Sequence, residues 1–172
     1  DWVYNYGLFD FESDNFVLRF ALGKTDYMLG VAPYPYFHYV YASDGRRMDE
    51  QVLNLTPQES RRLQGLLEDN ARPENRVYRY NFFEDNCVTR AVDMVVKAVD
   101  GEVHFPEVPA NKTFRTLVKE HTTPNPWDKL CQNLMLGMDA DSLIGMRGQL
   151  FAPLYAAKIV EQATITDSAG NS

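Results

Sequence analysis

The chain has 172 residues, 45% apolar and 24% charged, which suits one domain with a substantial core and is short for two. Its net charge of −7 argues against a nucleic-acid backbone as partner. No apolar run approaches the ~20 residues that a membrane-crossing helix needs.

The opening "DWVYNYG" has neither an initiator Met nor a leader pattern, as expected of a processed product or a fragment. It reads as a strand with Trp2, Tyr4 and Tyr6 on one face and Val3 and Asn5 on the other. "NFVLRFALG" and "DYMLGVAPY" read as further strands, and "YFHYVYASDGRRMDEQVLNL" as a hairpin turning at Ser43-Asp44-Gly45-Arg46. A helix then starts with Thr56 as N-cap, Pro57 in its first position and Glu59 completing a capping box, with Leu63, Leu66 and Leu67 as its apolar stripe. Arg76 to Phe83 returns to a strand. The helix after Asn86 carries Val88, Ala91, Val92, Val95, Val96 and Val99 as one broad buried face. From about Pro106 the pattern changes to loops and helices, with Trp127, Leu130, Cys131, Leu134 and Met135 at helical spacing, a last helix in "APLYAAKIVEQA", and a flexible tail. The expected fold class is therefore α+β, with a core over 1–105 and a helical extension over 106–172 packed on it.

Cys87 is the sharpest chemical candidate. With Asn86 as cap, or Asp85 if the helix begins one residue earlier, it falls in the first helical turn. There free N–H groups and the helix dipole favour a thiolate. Arg90, one turn on, adds positive field, while Glu84, Asp85 and Asp93 oppose it. The packing alternative makes Cys87 a small apolar member of a stripe with Ala91 and Val95.

A nucleophilic Cys also needs a base and a group to orient it. His38 lies in the aromatic run read as a strand, His104 in a Pro-bounded loop and His121 near a helix end, and none stands out as that base. Asn5 reads either as an orienting residue or as a hydrogen-bonded strand or turn residue. Cys131 reads as core, and a bridge between the two cysteines stays open. Asp10, Glu12, Asp14, Asp139 and Asp141 read as solvated turns, since calcium-loop length and glycine are missing. With no Gly-rich phosphate loop and no paired-cysteine zinc spacing, no cofactor or metal is expected.

Several stretches together resemble the bacterial family of the Lnb N-terminal periplasmic domain: "VYNYGLFDF", "NFVLRFALGKTDYML", "EQVLNLT", "PENRVYRYNFFEDNCVTRAVD" and "PWDKLCQNLMLGMDAD" with "LFAPLY". "FFEDNCVTR" is the most specific of them. The family in turn resembles permuted papain-like folds of the NlpC type. The resemblance implies Cys87 as nucleophile, Asn5 as the second-strand polar residue and an antiparallel sheet packed on helices. It also implies a periplasmic or cell-envelope location and a cell-wall peptide or a lipid acyl group as substrate. In that arrangement the base is a His on a glycine-histidine strand upstream of residue 1, with His38 as the alternative. The expected function is a thiol hydrolase or acyltransferase, and the rival is a non-catalytic binding or scaffold domain.

Overall fold

The aromatic run at the start of the chain forms β1 (Trp2–Leu8), which pairs antiparallel with β2 (Asp26–Pro33). β2 pairs in turn with β3 (Val77–Arg79), giving a three-stranded sheet in the order β1-β2-β3. The computed structural model describes residues 1–9, 19, 25–120 and 139–166. The expected strand "NFVLRFALG" (all but Arg19), the stretch from Asp10 to Asp14, the helix around Trp127, and His121, Cys131 and the tail lie outside the described residues.

Strand periodicity decides which side chains enter the core. Tyr27 and Leu29 of β2, with Tyr78 and Tyr80 at β3, are buried, whereas Val77 and Arg79 face solvent. β1 is irregular: its register shifts between Asn5 and Leu8, where a bulge lets Tyr6 into the core while Leu8 stays exposed.

The hairpin expected over residues 36–55 does not form. Tyr34–Ser43 is instead a helix, α1, and residues 46–56 have no regular structure. Pro35 sits in the first turn, where its fixed φ suits a helix and its missing N–H costs nothing. Asp44-Gly45 closes that helix: Gly45 takes φ +64°, its N–H donates to Ala42 O at 3.0 Å, and Arg46 N–H donates to Tyr41 O at 2.9 Å. This is the Schellman pattern, so the Asp-Gly pair is a helix stop rather than a hairpin turn.

α2 (Pro57–Asn70) has the expected cap. Thr56 N–H and Oγ1–H donate to Glu59 Oε2 at 2.8 and 2.7 Å, and Glu59 N–H donates back to Thr56 Oγ1. Glu59 is itself buried, and its other oxygen accepts Asp100 N–H at 2.8 Å, just past the end of the next helix.

That helix, α3 (Cys87–Ala98), is the pivot of the packing. On one side Met94 joins Tyr6, Tyr27, Leu29, Tyr78 and Tyr80 in the core under the sheet, with Cys87, Leu63, Leu66 and Leu67 packed around them. On the other, Val92 packs with Leu150, Ala156 and Ile159, flanked by Val88 and Val96. The buried face is therefore split into two sides rather than one broad stripe, and Ala91 between them is exposed.

The C-terminal part contains α4 (Phe114–Glu120), α5 (Met146–Gln149) and α6 (Pro153–Glu161). It also holds strand pairs that the sequence reading missed. β4 (Glu102–His104) pairs with β7 (Thr164–Thr166), and β5 (Lys112–Thr113) with β6 (Leu143–Ile144). His104 thus lies on a strand, not in a loop.

Glu59 fixes the start of α2 and the end of α3 through one carboxylate. Glu59→Ala is expected to cost about 2 kcal/mol in urea unfolding, the loss of a capping box plus an acceptor for a buried N–H. The Asp100 and Thr56 hydrogen bonds hold this carboxyl below the ordinary value of 4.5. Its stabilisation is therefore present above that value and fades as pH falls through the lower, folded one. The stability gap between the wild type and Glu59→Gln should shrink correspondingly in acid.

Candidate functional site

The segment entering α3 is built from the turn Asn81–Asp85. Asn81 and Asp85 exchange backbone hydrogen bonds at 3.0 and 3.1 Å, and Asn81 Oδ1 accepts the N–H groups of Phe83 and Glu84. Of the two candidate caps, Asn86 is the one used. Its Oδ1 accepts Val88 N–H at 2.8 Å and Thr89 N–H at 3.0 Å, and its own N–H donates to Thr89 Oγ1 at 2.9 Å. Its amide nitrogen donates to Phe82 O at 3.0 Å and to Phe151 O at 2.9 Å. Asn86 and Thr89 are both buried, so this reciprocal cap is sealed from water. Thr89 went unnoticed in the sequence, although a polar residue three positions after Asn86 is the signal for such a box.

Asp85 instead receives Arg90, whose Nε and Nη2 donate to its two oxygens, each at 2.6 Å. The same guanidinium lies 3.9 Å from the centroid of the Tyr78 ring. Arg90 is thus engaged by a carboxylate and an aromatic face, and its charge is largely balanced before it reaches the sulfur.

Cys87 is the first residue of α3, half-buried, and a free thiol. It packs against the tyrosine cluster, where Tyr27 stacks on Tyr80 with centroids 3.8 Å apart and Phe9 stacks on Tyr27 at 4.7 Å. Two opposing effects act on the sulfur. Burial raises its pKa, while hydrogen bonding from its own N–H and that of Val88 lowers it. Burial is the larger, so the thiol sits above its ordinary value. The helix-terminus argument alone gives a thiolate; in this setting the resting group is the protonated thiol. The phenols respond in kind. Burial pushes Tyr78 and Tyr80 far up, and a negative charge on Cys87 would push them further.

Asn5 lies at the β1 bulge, opposite Gly30, and its Oδ1 accepts Gly7 N–H at 2.9 Å. Among the described residues no hydrogen bond joins it to Cys87. His38 is exposed on α1, on a helix rather than the expected strand, with its ring 5.9 Å from that of Tyr34. His104 is exposed on β4. Asp141 is paired with Arg115 at 2.6 and 3.1 Å. Among the described residues no group of three His, Cys, Asp or Glu side chains is placed to hold a metal ion.

A cleft of about 280 Å³ opens over the Arg90-to-Lys97 face of α3, and Cys87 is not among the residues that line it. Arg147 reaches into it from α5 and holds Asp93 at 2.6 and 2.8 Å. Met94 lines this cleft and also belongs to the core that Cys87 touches.

A sequence model described as the Lnb N-terminal periplasmic domain matches residues 1–120, and the chain belongs to that family. No curated protein and no solved structure matches it. The family description is of a periplasmic domain, and no helix among the described residues is long and apolar enough to cross a membrane.

Two measurements test this picture of the site. Asn86→Ala is expected to cost about 3 kcal/mol in denaturant unfolding, since it removes a cap and strands the carbonyls of Phe82 and Phe151. Iodoacetamide is expected to alkylate Cys87 slowly at neutral pH, with the rate still climbing above pH 9.0, the ordinary thiol value. Rapid labelling near pH 6 would show that the amides, not burial, set the charge of this sulfur.

Proposed function

We propose that this periplasmic domain is a thiol hydrolase or acyltransferase of the cell envelope, with Cys87 as its nucleophile. What supports the reading is the position of that sulfur. It stands at the first residue of a 12-residue helix, directly after a buried cap, where the neighbouring backbone N–H groups favour its anion. In this reading the antiparallel sheet with α3 packed against it is the permuted papain-like core that the family resemblance implies.

The chemistry follows from the protonated resting state. A base removes the Sγ–H proton as Cys87 Sγ attacks the carbonyl carbon of an amide or ester. The carbonyl oxygen becomes an oxyanion, stabilised by the backbone N–H of Cys87, since those of Val88 and Thr89 are held by the Asn86 cap. Collapse expels the amine or alcohol, which takes the proton back from the base, and leaves a thioester on Cys87. Water, or an acceptor amine or hydroxyl, then releases the acyl group. Because the thiol is held above its ordinary value, activation depends on the base rather than on a standing thiolate. His38 and His104 are both exposed and neither is hydrogen-bonded to Cys87, so this reading takes the base from outside the described residues, with His38 as the alternative. Asn5 is the residue assigned to orient it.

One observation favours a second reading, a non-catalytic binding or scaffold domain. The Asn5 side chain is already used by Gly7 N–H, and the thiol is packed against tyrosines as a small apolar group would be.

Intact-mass analysis after incubation with a p-nitrophenyl acyl ester separates the two. The enzyme reading expects one acyl adduct on Cys87, cleaved by neutral hydroxylamine as a thioester is. The adduct should be absent in Cys87→Ser and retained in Cys131→Ser. Equal acylation of the wild type and Cys87→Ser would leave the scaffold reading.

A further inference from the structure

Gln149, at the end of α5, is 1% exposed, and most of its hydrogen-bonding capacity is spent. Its backbone N–H donates to Gly145 O at 3.2 Å, its carbonyl accepts Ala152 N–H at 3.3 Å, and its Nε2 donates to Pro109 O at 3.3 Å. Pro109 O can only accept, so that last bond fixes which way the amide is turned. Oε1 is left over, and among the described residues nothing donates to it. It is not sealed in either: among the described residues, Thr25 Oγ1 is the one closed-off side-chain polar atom without a partner. What Gln149 opens on is a hollow of about 160 Å³ between α6 and the loop after β4. The walls are Pro106, Val108, Pro109 and Ile159, and two of these, Val108 and Ile159, belong to the core cluster around Leu150. Glu107 and Lys158 also line the hollow, with charges that cancel.

We propose that this hollow takes the indole of a tryptophan presented by a partner polypeptide, with the indole N–H donating to Gln149 Oε1. Size, polarity and charge select that guest. The hollow is smaller than the ~300 Å³ at which small-molecule clefts begin, and it suits one side chain. Its apolar walls call for an apolar body. The Gln149 amide has spent its donor on Pro109 and offers an acceptor alone, which calls for a donor at the tip of the guest. Trp joins a large apolar ring system to one donor and no acceptor, whereas Tyr brings an acceptor as well. A buried oxygen without a donor is costly, and the indole N–H relieves that cost. A charged guest would meet Glu107 and Lys158 together and gain little over water. Trp buried in a pocket of its partner is also a common anchor of protein interfaces.

Cys87 is not among the residues that line the hollow, and its test leaves that thiol unaltered. The isotope-labelled full chain is titrated with N-acetyl-tryptophanamide, whose capped ends imitate a polypeptide, and amide shifts are followed by NMR. The expected result is saturable shifts at the Gln149 side-chain amide and at Ile159. The benzothiophene analogue, which keeps the ring shape but has sulfur in place of N–H, is expected to bind at least about tenfold more weakly. Glu107→Gln, a change at an exposed position, is expected to leave the affinity within about twofold. Absence of saturable shifts at Gln149, or equal affinity for the benzothiophene analogue, would overturn the proposal. So would tighter binding of N-acetyl-lysinamide or a tenfold loss in Glu107→Gln, either of which would make the guest a cation. Tighter binding of free tryptophan would make the hollow a small-molecule site and overturn it too.

Discussion

The side chain of Asn86 is the junction on which the rest of this structure depends. A helix must satisfy the N–H groups of its first turn, and α3 does so in a buried place where water cannot substitute. Asn suits the position because its two ends differ: the oxygen takes the N–H groups of Val88 and Thr89, and the nitrogen reaches the carbonyls of Phe82 and Phe151. One residue thereby joins the turn after β3, the start of α3 and a segment 65 positions further on. An Asp would cap the helix equally well but offer acceptors to both of those carbonyls. The aromatic contacts around the junction, Phe82 on Phe151 at 5.6 Å and Phe83 on Phe114 at 4.0 Å, share that geometry.

The same junction decides the character of Cys87. A cap at Asn86 places the next residue where the amide field is strongest, and the helix then has to bury that residue against the sheet because Met94, two turns on, is core. Field and burial therefore come from one arrangement and pull the thiol in opposite directions. Arg90 does not tip the balance, since Asp85 and the Tyr78 ring already hold its guanidinium.

Local signals in the sequence read well, and signals that needed a partner read poorly. Thr56-Pro57-Glu59 and Asn86 announce helix starts through chemistry contained within four residues, and both starts are where that chemistry puts them. The Tyr34–Ser43 stretch was misread because its aromatic residues satisfy a two-residue period as readily as a helical one, and because Asp-Gly ends helices as well as turning hairpins. Nothing near Glu102 or Thr164 foretells that β4 and β7 will meet, since each is three residues long and its partner lies about 60 positions away. At the site itself, the location of Cys87 was legible but its protonation state was not. The dipole argument needs only the neighbouring residues, while desolvation is set by Tyr27, Tyr78 and Tyr80 arriving from other strands.

Those tyrosines also limit what can activate the thiol. The core beneath the sheet carries hydroxyls, and they are tied down: Tyr78 O–H donates to Tyr6 O at 2.6 Å, and Tyr6 OH accepts from Asn70 at 2.9 Å. Burial keeps Tyr78 and Tyr80 protonated well beyond the ordinary phenol range, and an anionic sulfur would reinforce that. A phenol so held gives up no proton and so takes none from a thiol. The cluster around Cys87 thus serves as a low-dielectric wall that opposes charge on the sulfur, and no residue of that wall can remove its proton. Reactivity at Cys87, in this architecture, requires a base that approaches from another side.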